Sequence, residues 1–237
     1  MSEVSSSPVR AVAVEDAFAL LGARVVAHHC LADESAMPTV PPAEAVAVER
    51  AVLSRRAEFA AARACARASL AVLGRPDSAI PANPDRSPSW PSGIVGSISH
   101  ADGYCIAVTA SESSGSVGVD VEAVGRVTDD IASAVMLPSE RRRAAGAADP
   151  ELTRTLVFAA KEALYKAQHP LTRRWLDFHD VEVSVCEEPG LLRLELVGDV
   201  VTLPEAAALA WPMAARWLCD ESVPGSPMAV VVLVARR

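Results

Sequence analysis

The sequence predicts an α+β fold in which antiparallel strands pack on two long helices. Three observations carry that reading. Residues 43–73 place apolar side chains at helical spacing. Asp149-Pro150-Glu151 opens a second helix that Pro170 should close. The last third holds short apolar runs of strand length, at 181–185, 191–197 and 228–234, parted by polar loops. The chain has 237 residues, enough for one large domain or two small lobes, and is 51% hydrophobic, so a core is assured. A formal net charge of -8 argues against a general nucleic-acid binder, because phosphate backbones reward a clustered positive surface. The longest apolar run, Met228 to Ala235, falls short of the ~20 residues a membrane helix needs, and the N-terminus lacks a signal-peptide pattern. A cytoplasmic protein with no membrane partner is expected. Cys30, Cys65, Cys105, Cys186 and Cys219 are scattered singly, with no Cys-x-x-Cys pair, and read as reduced core residues.

Taken in order, residues 1–10 form a Ser-rich tail, Val9 to Val14 starts a strand, and Phe18 to Ala27 is a buried piece. Pro38, Pro41 and Pro42 mark a loop that opens a helix from about Ala43 to Leu73, stopped by Gly74 and Pro76. Val52, Phe59, Ala66, Leu70 and Leu73 form its apolar stripe, with Arg56, Arg63 and Arg67 beside it. Residues 75–91 contain five prolines and form a stiff loop carrying Arg86 and Trp90, the latter a packing anchor. The extended segment Gly96-Ser97-Ile98-Ser99-His100 is read as placing two hydroxyls and an imidazole on one side, Gly96 permitting close approach. Tyr104 to Ala110 is a buried strand, and 111–116 a polar turn. Short helices start at 126–130 and at Leu137-Pro138-Ser139-Glu140, where Ser139 is a suitable N-cap. The main helix then runs from 150 to about Gln168. Phe158, Glu162 and Lys166 share one face of it, and Lys161 and Tyr165 the next.

Two segments carry the chemistry. Val117-Gly118-Val119-Asp120-Val121-Glu122 ends an apolar run with carboxylates at i and i+2, on one face of a strand. Their repulsion is relieved by water, a shared proton or a hard cation such as Mg²⁺ or Mn²⁺. Glu162 can supply a third ligand. Alone, Asp-x-Glu is most often a solvated strand end, and Lys161-Glu162-x-x-x-Lys166 an ordinary helix pair; their coupling shifts the balance. A Ser-based hydrolase is disfavoured, since no Gly-x-Ser-x-Gly elbow occurs.

The paired motifs, Val-Gly-Val-Asp-Val-Glu and Phe158-Ala-Ala-Lys-Glu-Ala-Leu-Tyr-Lys-Ala closed by His169-Pro170, resemble those of the 4'-phosphopantetheinyl transferases. The branch is that of enterobactin synthetase component D and its actinobacterial relatives. Arg55-Arg56-Ala57-Glu58-Phe59 with Arg63, Trp90-Pro91, Gly96-Ser97-Ile98-Ser99-His100 and Pro170-Leu171-Thr172-Arg173-Arg174-Trp175-Leu176 extend the match in order, over roughly residues 45–185.

The resemblance implies two similar α/β lobes related by a pseudo-twofold, each a small sheet on a long helix, with the active site in the cleft. Residues 1–113 would be the coenzyme A-binding lobe and 114–237 the lobe with the metal-binding acids and catalytic helix. It implies transfer of the 4'-phosphopantetheine arm of coenzyme A to a serine of an apo acyl or peptidyl carrier protein, releasing adenosine 3',5'-bisphosphate. Asp120, Glu122 and Glu162 would hold Mg²⁺ (Mn²⁺ is the alternative), Lys161 would stabilise the departing phosphate, and Glu162, or a water beside the metal, would be the base. Arg55, Arg56, Arg63, Arg86, Ser99, His100, Lys161 and Lys166 would contact coenzyme A. Val121 cannot ligate, so water fills the coordination position that some members supply there. A monomer is implied, serving polyketide, nonribosomal peptide or siderophore synthesis, with Arg173-Arg174-Trp175 a surface for the acidic carrier. A metal-dependent hydrolase of coenzyme A or a related pyrophosphate, and a non-catalytic coenzyme A-binding protein, remain as alternatives.

Overall fold

The computed structural model describes residues 8–199, 209–221 and 227–236, so most of the Ser-rich tail expected at residues 1–10 lies outside the described residues. The chain divides into two compact units, Met1–Val117 and Gly118–Arg237. In each, an antiparallel sheet carries one long helix, the α+β class that the patterning predicts.

The first unit opens with helix α1 (Pro8–Leu20), where the sequence suggested a strand. The buried positions decide it: Val14, Ala17 and Phe18 are spaced i, i+3, i+4, a helical period rather than an alternation. Strand β1 (Val26–Leu31) follows, then the short α2 (Pro42–Ala45) and the long α3 (Leu53–Val72). The single helix expected over 43–73 is therefore broken. Glu44 is fully buried and receives Nη1 of Arg67 at 2.5 Å and the Ile80 amide at 2.8 Å, which ties α2 to the side of α3 and to the loop after it. Val52, placed on the apolar stripe by its spacing, sits in that break and is 70% exposed. Strands β2 (Ile94–Ala101) and β3 (Tyr104–Ser111) complete a sheet of order β1-β3-β2, antiparallel throughout. Small residues let α3 sit close on it: Ala57, Ala60, Ala61, Ala64 and Ala66 are all buried. Trp90 is the anchor the sequence suggested, its ring lying 2.6 Å from where a Cβ on Gly96 would be, so the glycine admits this ring.

The second unit contains α4 (Asp129–Val135), α5 (Pro138–Ala145) and α6 (Pro150–Thr172). Its sheet has the order β4-β8-β7-β6-β5, with β4 at Ser116–Ala123, β5 at Val181–Val185, β6 at Leu191–Leu196, β7 at Met213–Asp220 and β8 at Met228–Ala235. Ala159, Ala160, Ala163 and Leu164 of α6 bury against Val231 and Leu233 of β8 in one core. Helix α6 passes through Pro170, where the sequence predicted its end. Thr172 remains helical and Arg173 caps it in the left-handed region at φ 56°, its amide reaching the His169 carbonyl at 2.8 Å. Leu137, not Ser139, caps α5; the Ser139 hydroxyl instead donates to Glu182 at 2.6 Å. None of the described helices is long and apolar enough to cross a membrane. All five cysteines are free, but Cys219 is exposed and Cys30 and Cys186 are half-buried, so the expectation of core burial holds only for Cys65 and Cys105.

Candidate active site

Strand β4 turns Gly118, Asp120 and Glu122 to one face, while Val117, Val119 and Val121 are buried on the other. Gly118 sets the spacing to α6. A Cβ there would lie 2.0 Å from the Ala163 carbonyl oxygen and 3.0 Å from the Ala167 methyl, so only glycine lets the strand seat at this depth. Two residues on, Asp120 is 3% exposed and meets Lys166, whose Nζ donates to Oδ1 at 2.6 Å and to the Val119 carbonyl at 3.3 Å. Glu162 lies one helical turn back on α6. Burial raises its pKa above the usual carboxylate range, the charge of Asp120 raises it further, and Lys166 opposes both. Asp120, Glu162 and Lys166 thus form one electrostatic group contributed by two elements, as the coupling of the two motifs suggested.

Among the described residues, no group of three or more His, Cys, Asp or Glu side chains is gathered as a metal site. Glu122, expected beside Asp120 and Glu162 as a metal ligand, is half-buried on the same strand face as Asp120 and does not complete such a group. The two acids that do couple fit a divalent ion in kind: they are hard oxygen donors that repel one another, and one already holds a cation, the Lys166 ammonium.

Lys161 departs from its expected role. One residue before Glu162 is about 100° around the helix, which aims Lys161 at α5 rather than β4. It is 4% exposed, and its ammonium donates to Glu140 Oε2 at 2.8 Å, the Val135 carbonyl at 3.0 Å and the Phe178 carbonyl at 2.7 Å. An ammonium has three donors, so none is left for a phosphate in this arrangement. Burial lowers the Lys161 pKa, with Glu140 opposing. Glu140 in turn accepts the Leu137 and Val183 amides, each at 2.7 Å, making it a hub joining α5, α6 and β5.

The first unit gathers its own cluster. Arg55 Nη1 donates to His100 Nε2 and lies 3.6 Å from Glu58, whose Oε2 is 3.4 Å from His100 Nδ1. Arg63 is 5% exposed, with its guanidinium 4.8 Å from the centre of the Phe59 ring and no hydrogen bond to its Nε. Burial brings its pKa down to about 10; Glu44 opposes this, while Arg67 and Arg55 add to it. That is a buried cation short of counter-charge. Arg56 points elsewhere, lining a cavity of about 580 Å³ with Met37, Val40 and Val46. Arg86 is exposed at a left-handed φ of 68° in the proline-rich loop. Ser99 does not share a side with His100, as the sequence reading had it. Strand period puts Ser97 and Ser99 on one face, both buried, and His100 on the other. Arg67, placed by its spacing beside the apolar stripe, clamps Glu44 and the Thr39 carbonyl.

Three carboxylates have structural roles that the sequence did not assign them. Glu58 had a signal, sitting one turn past Arg55, and Glu140 had one, three residues into a Leu-Pro-Ser-Glu helix start. Glu44 had none.

Comparison with known proteins meets this geometry at the same residues. A family model described as the 4'-phosphopantetheinyl transferase N-terminal domain matches residues 43–110, and one described as the 4'-phosphopantetheinyl transferase superfamily matches residues 116–210. The chain is 40% identical over 192 residues to 4'-phosphopantetheinyl transferase Svp of Streptomyces mobaraensis, covering 77% of this chain and 78% of that one. The chain belongs to the 4'-phosphopantetheinyl transferases. This transferase is also 39% identical over 150 residues to Npt of Nocardia iowensis, covering 63% of this chain and 68% of the relative. With enterobactin synthase component D of Salmonella typhi it shares 36% identity over 117 residues, 48% of each chain. The branch is the one the motifs suggested. Asp120 and Glu162 both fall in the second matched segment, and Arg55, Arg63 and His100 in the first.

Proposed function

We propose that this transferase moves the 4'-phosphopantetheine arm of coenzyme A to a serine of an apo acyl or peptidyl carrier protein, releasing adenosine 3',5'-bisphosphate. The observation that carries the reading is the Asp120–Glu162–Lys166 group, two mutually repelling carboxylates and a cation held by the seating of β4 on α6. Asp120 and Glu162, with Glu122, would hold Mg²⁺, Mn²⁺ being the alternative. The ion would supply positive charge to the pyrophosphate oxygens as the bond to phosphorus breaks. Glu162 takes the proton of the serine hydroxyl at its carboxylate; its raised pKa brings it nearer to neutral pH, which suits a general base. Lys166 then exchanges Asp120 for a phosphate oxygen. Lys161 acts as a positioning residue, anchoring α6 through Glu140 rather than touching substrate.

The first unit holds the nucleotide. Arg63 is the strongest candidate for a phosphate contact, since a buried guanidinium with an unused donor gains most from an anion. Arg55 and His100 offer a second contact at their shared edge, and Arg86, exposed on the proline-rich loop, would serve a more distant part of coenzyme A. The first unit, residues 1–117, would thus bind and the second, residues 118–237, carry the chemistry, in a monomer acting in the cytoplasm within polyketide, nonribosomal peptide or siderophore synthesis. At the end of α6, Trp175 is 75% exposed and packs edge-on against Tyr165 at 5.1 Å. Beside it Glu162, Tyr165 and Leu176 line a cavity of about 120 Å³. Arg173, Arg174 and Trp175 would receive the carrier.

Mass spectrometry of several apo carrier proteins incubated with the purified chain, coenzyme A and Mg²⁺ tests the reading. A phosphopantetheine adduct on the serine is expected. Coenzyme A cleaved without any carrier adduct would assign a hydrolase, and tight coenzyme A binding without turnover a binding protein; either result rejects the transfer.

A further inference from the structure

Apart from the charged clusters, the first unit holds three thiols in contact range. Cys30 on β1 and Cys105 on β3 are directly opposed in the sheet register, and Cys65 on α3 comes down on them. The Cys65 thiol donates to Cys30 Sγ at 3.2 Å, while Cys105 turns to the Glu58 and Gly103 carbonyls at 3.5 and 3.7 Å. Cys30 is half-buried and Cys65 buried. Closing the Cys30–Cys65 gap to a disulfide length of ~2.05 Å requires only about 1.1 Å of sulfur movement.

We propose that Cys30 and Cys65 are a peroxide-sensitive thiol pair whose disulfide staples β1 to α3. The asymmetry of the pair assigns the roles. The hydrogen bond from Cys65 lowers the pKa of the more accessible Cys30, and the same bond together with burial raises that of Cys65. The Cys30 thiolate attacks one oxygen of hydrogen peroxide, the O–O bond breaks, and after proton transfer the products are a Cys30 sulfenic acid and one water. The Cys65 sulfur then attacks the Cys30 sulfur, the S–O bond breaks, and a second water leaves as the disulfide forms. The two thiols lose two electrons and two hydrogens, and peroxide is the oxidant. The staple falls two residues past Arg63 on α3, so oxidation fixes the helix that carries Arg55 and Arg63 against the sheet that carries His100. The thiol chemistry is independent of the coenzyme A assignment.

The full chain, reduced, desalted and exposed to graded hydrogen peroxide, is digested without reductant and analysed by mass spectrometry. Expected is a linked Cys30–Cys65 peptide pair lacking two hydrogens, reversed by dithiothreitol and accompanied by a rise in melting temperature on the order of 10 °C. Cys65→Ser should strand the sulfenic acid on Cys30, where dimedone traps it, and Cys30→Ala should leave Cys65 unreacted. The proposal is overturned if Cys30 and Cys65 stay reduced at doses that oxidise Cys186 or Cys219, or if Cys30 links to Cys105 instead. Both outcomes are read on the wild-type chain, so they stand even where a variant fails to fold.

Discussion

Gly118→Ala adds one methyl group to the chain, and its effect follows from a single distance. The new Cβ would be 2.0 Å from the Ala163 carbonyl oxygen. A carbon and an oxygen in contact sit at ~3.3 Å or more, so β4 and α6 must part by about 1.3 Å. The obstacle is backbone, and no rotamer change relieves it. Overpacking of this kind costs about 1–3 kcal/mol, occasionally more. Displacement of reacting groups by ~1 Å can cost about a hundredfold in rate. Asp120, two residues along the same strand face, is carried away from Glu162 and Lys166. The expected result is a folded protein of lowered melting temperature with carrier phosphopantetheinylation reduced about a hundredfold. Transfer assays with apo carrier protein and thermal melts are the measurements. Ala167→Gly removes only the 3.0 Å methyl contact and should not rescue. Wild-type rate and stability in Gly118→Ala, or full rescue by Ala167→Gly, would refute the argument.

Lys161→Met leaves the Glu140 carboxylate buried without its cation and should cost about 3–5 kcal/mol in urea unfolding; a loss below about 1 kcal/mol would remove the anchoring role. Glu162 has a raised pKa in the fold, so over that window the native state binds more protons than the unfolded chain, and stability is lost as pH rises through it. Glu162→Gln, inactive in transfer, should therefore melt higher than wild type near pH 7, with the difference shrinking below the ordinary Glu pKa of ~4.3; a gain that does not change with pH contradicts this sign. Arg63→Ala and His100→Ala should each weaken coenzyme A binding by about 1.5–3 kcal/mol in calorimetry. If His100 meets the 3'-phosphate, His100→Ala should discriminate less against dephospho-coenzyme A, and unchanged discrimination rules that contact out. Reversing the charge at Arg173 and Arg174 should raise the KM for carrier protein, more at low salt than at high, with little change for coenzyme A; unchanged carrier kinetics at low ionic strength would move the docking surface elsewhere.

What the sequence disclosed is what local rules govern. Strand 181–185 and the start of α6 were legible because alternation and an Asp-Pro cap are local signals. The Asp120–Glu162–Lys166 group was legible because the periods of strand and helix say which side chains share a face. Helix α1 was misread because its Ala- and Val-rich start suits either structure, and only packing of Val14 and Phe18 decides. The break before α3 depends on Glu44 finding Arg67 and Ile80, more than twenty residues away, and β7 mixes Arg, Trp and Asp in a pattern with no clean period. Lys161 shows the limit best. Its motif fixes its angle around the helix, but not that Glu140 waits at that angle.

Helix α6 serves as a ruler clamped at two marks. Lys161 ties it to the α5 and β5 side, and Lys166, five residues and about 7.5 Å further along the axis, ties it to β4. Glu162 stands between the marks on a segment with no loop to absorb slack. A change that displaces the Val183 amide, which donates to Glu140, should therefore reach Glu162 as a shift in register. Mutational screens that select for rate should therefore recover positions on β5 and α5 that never approach a substrate.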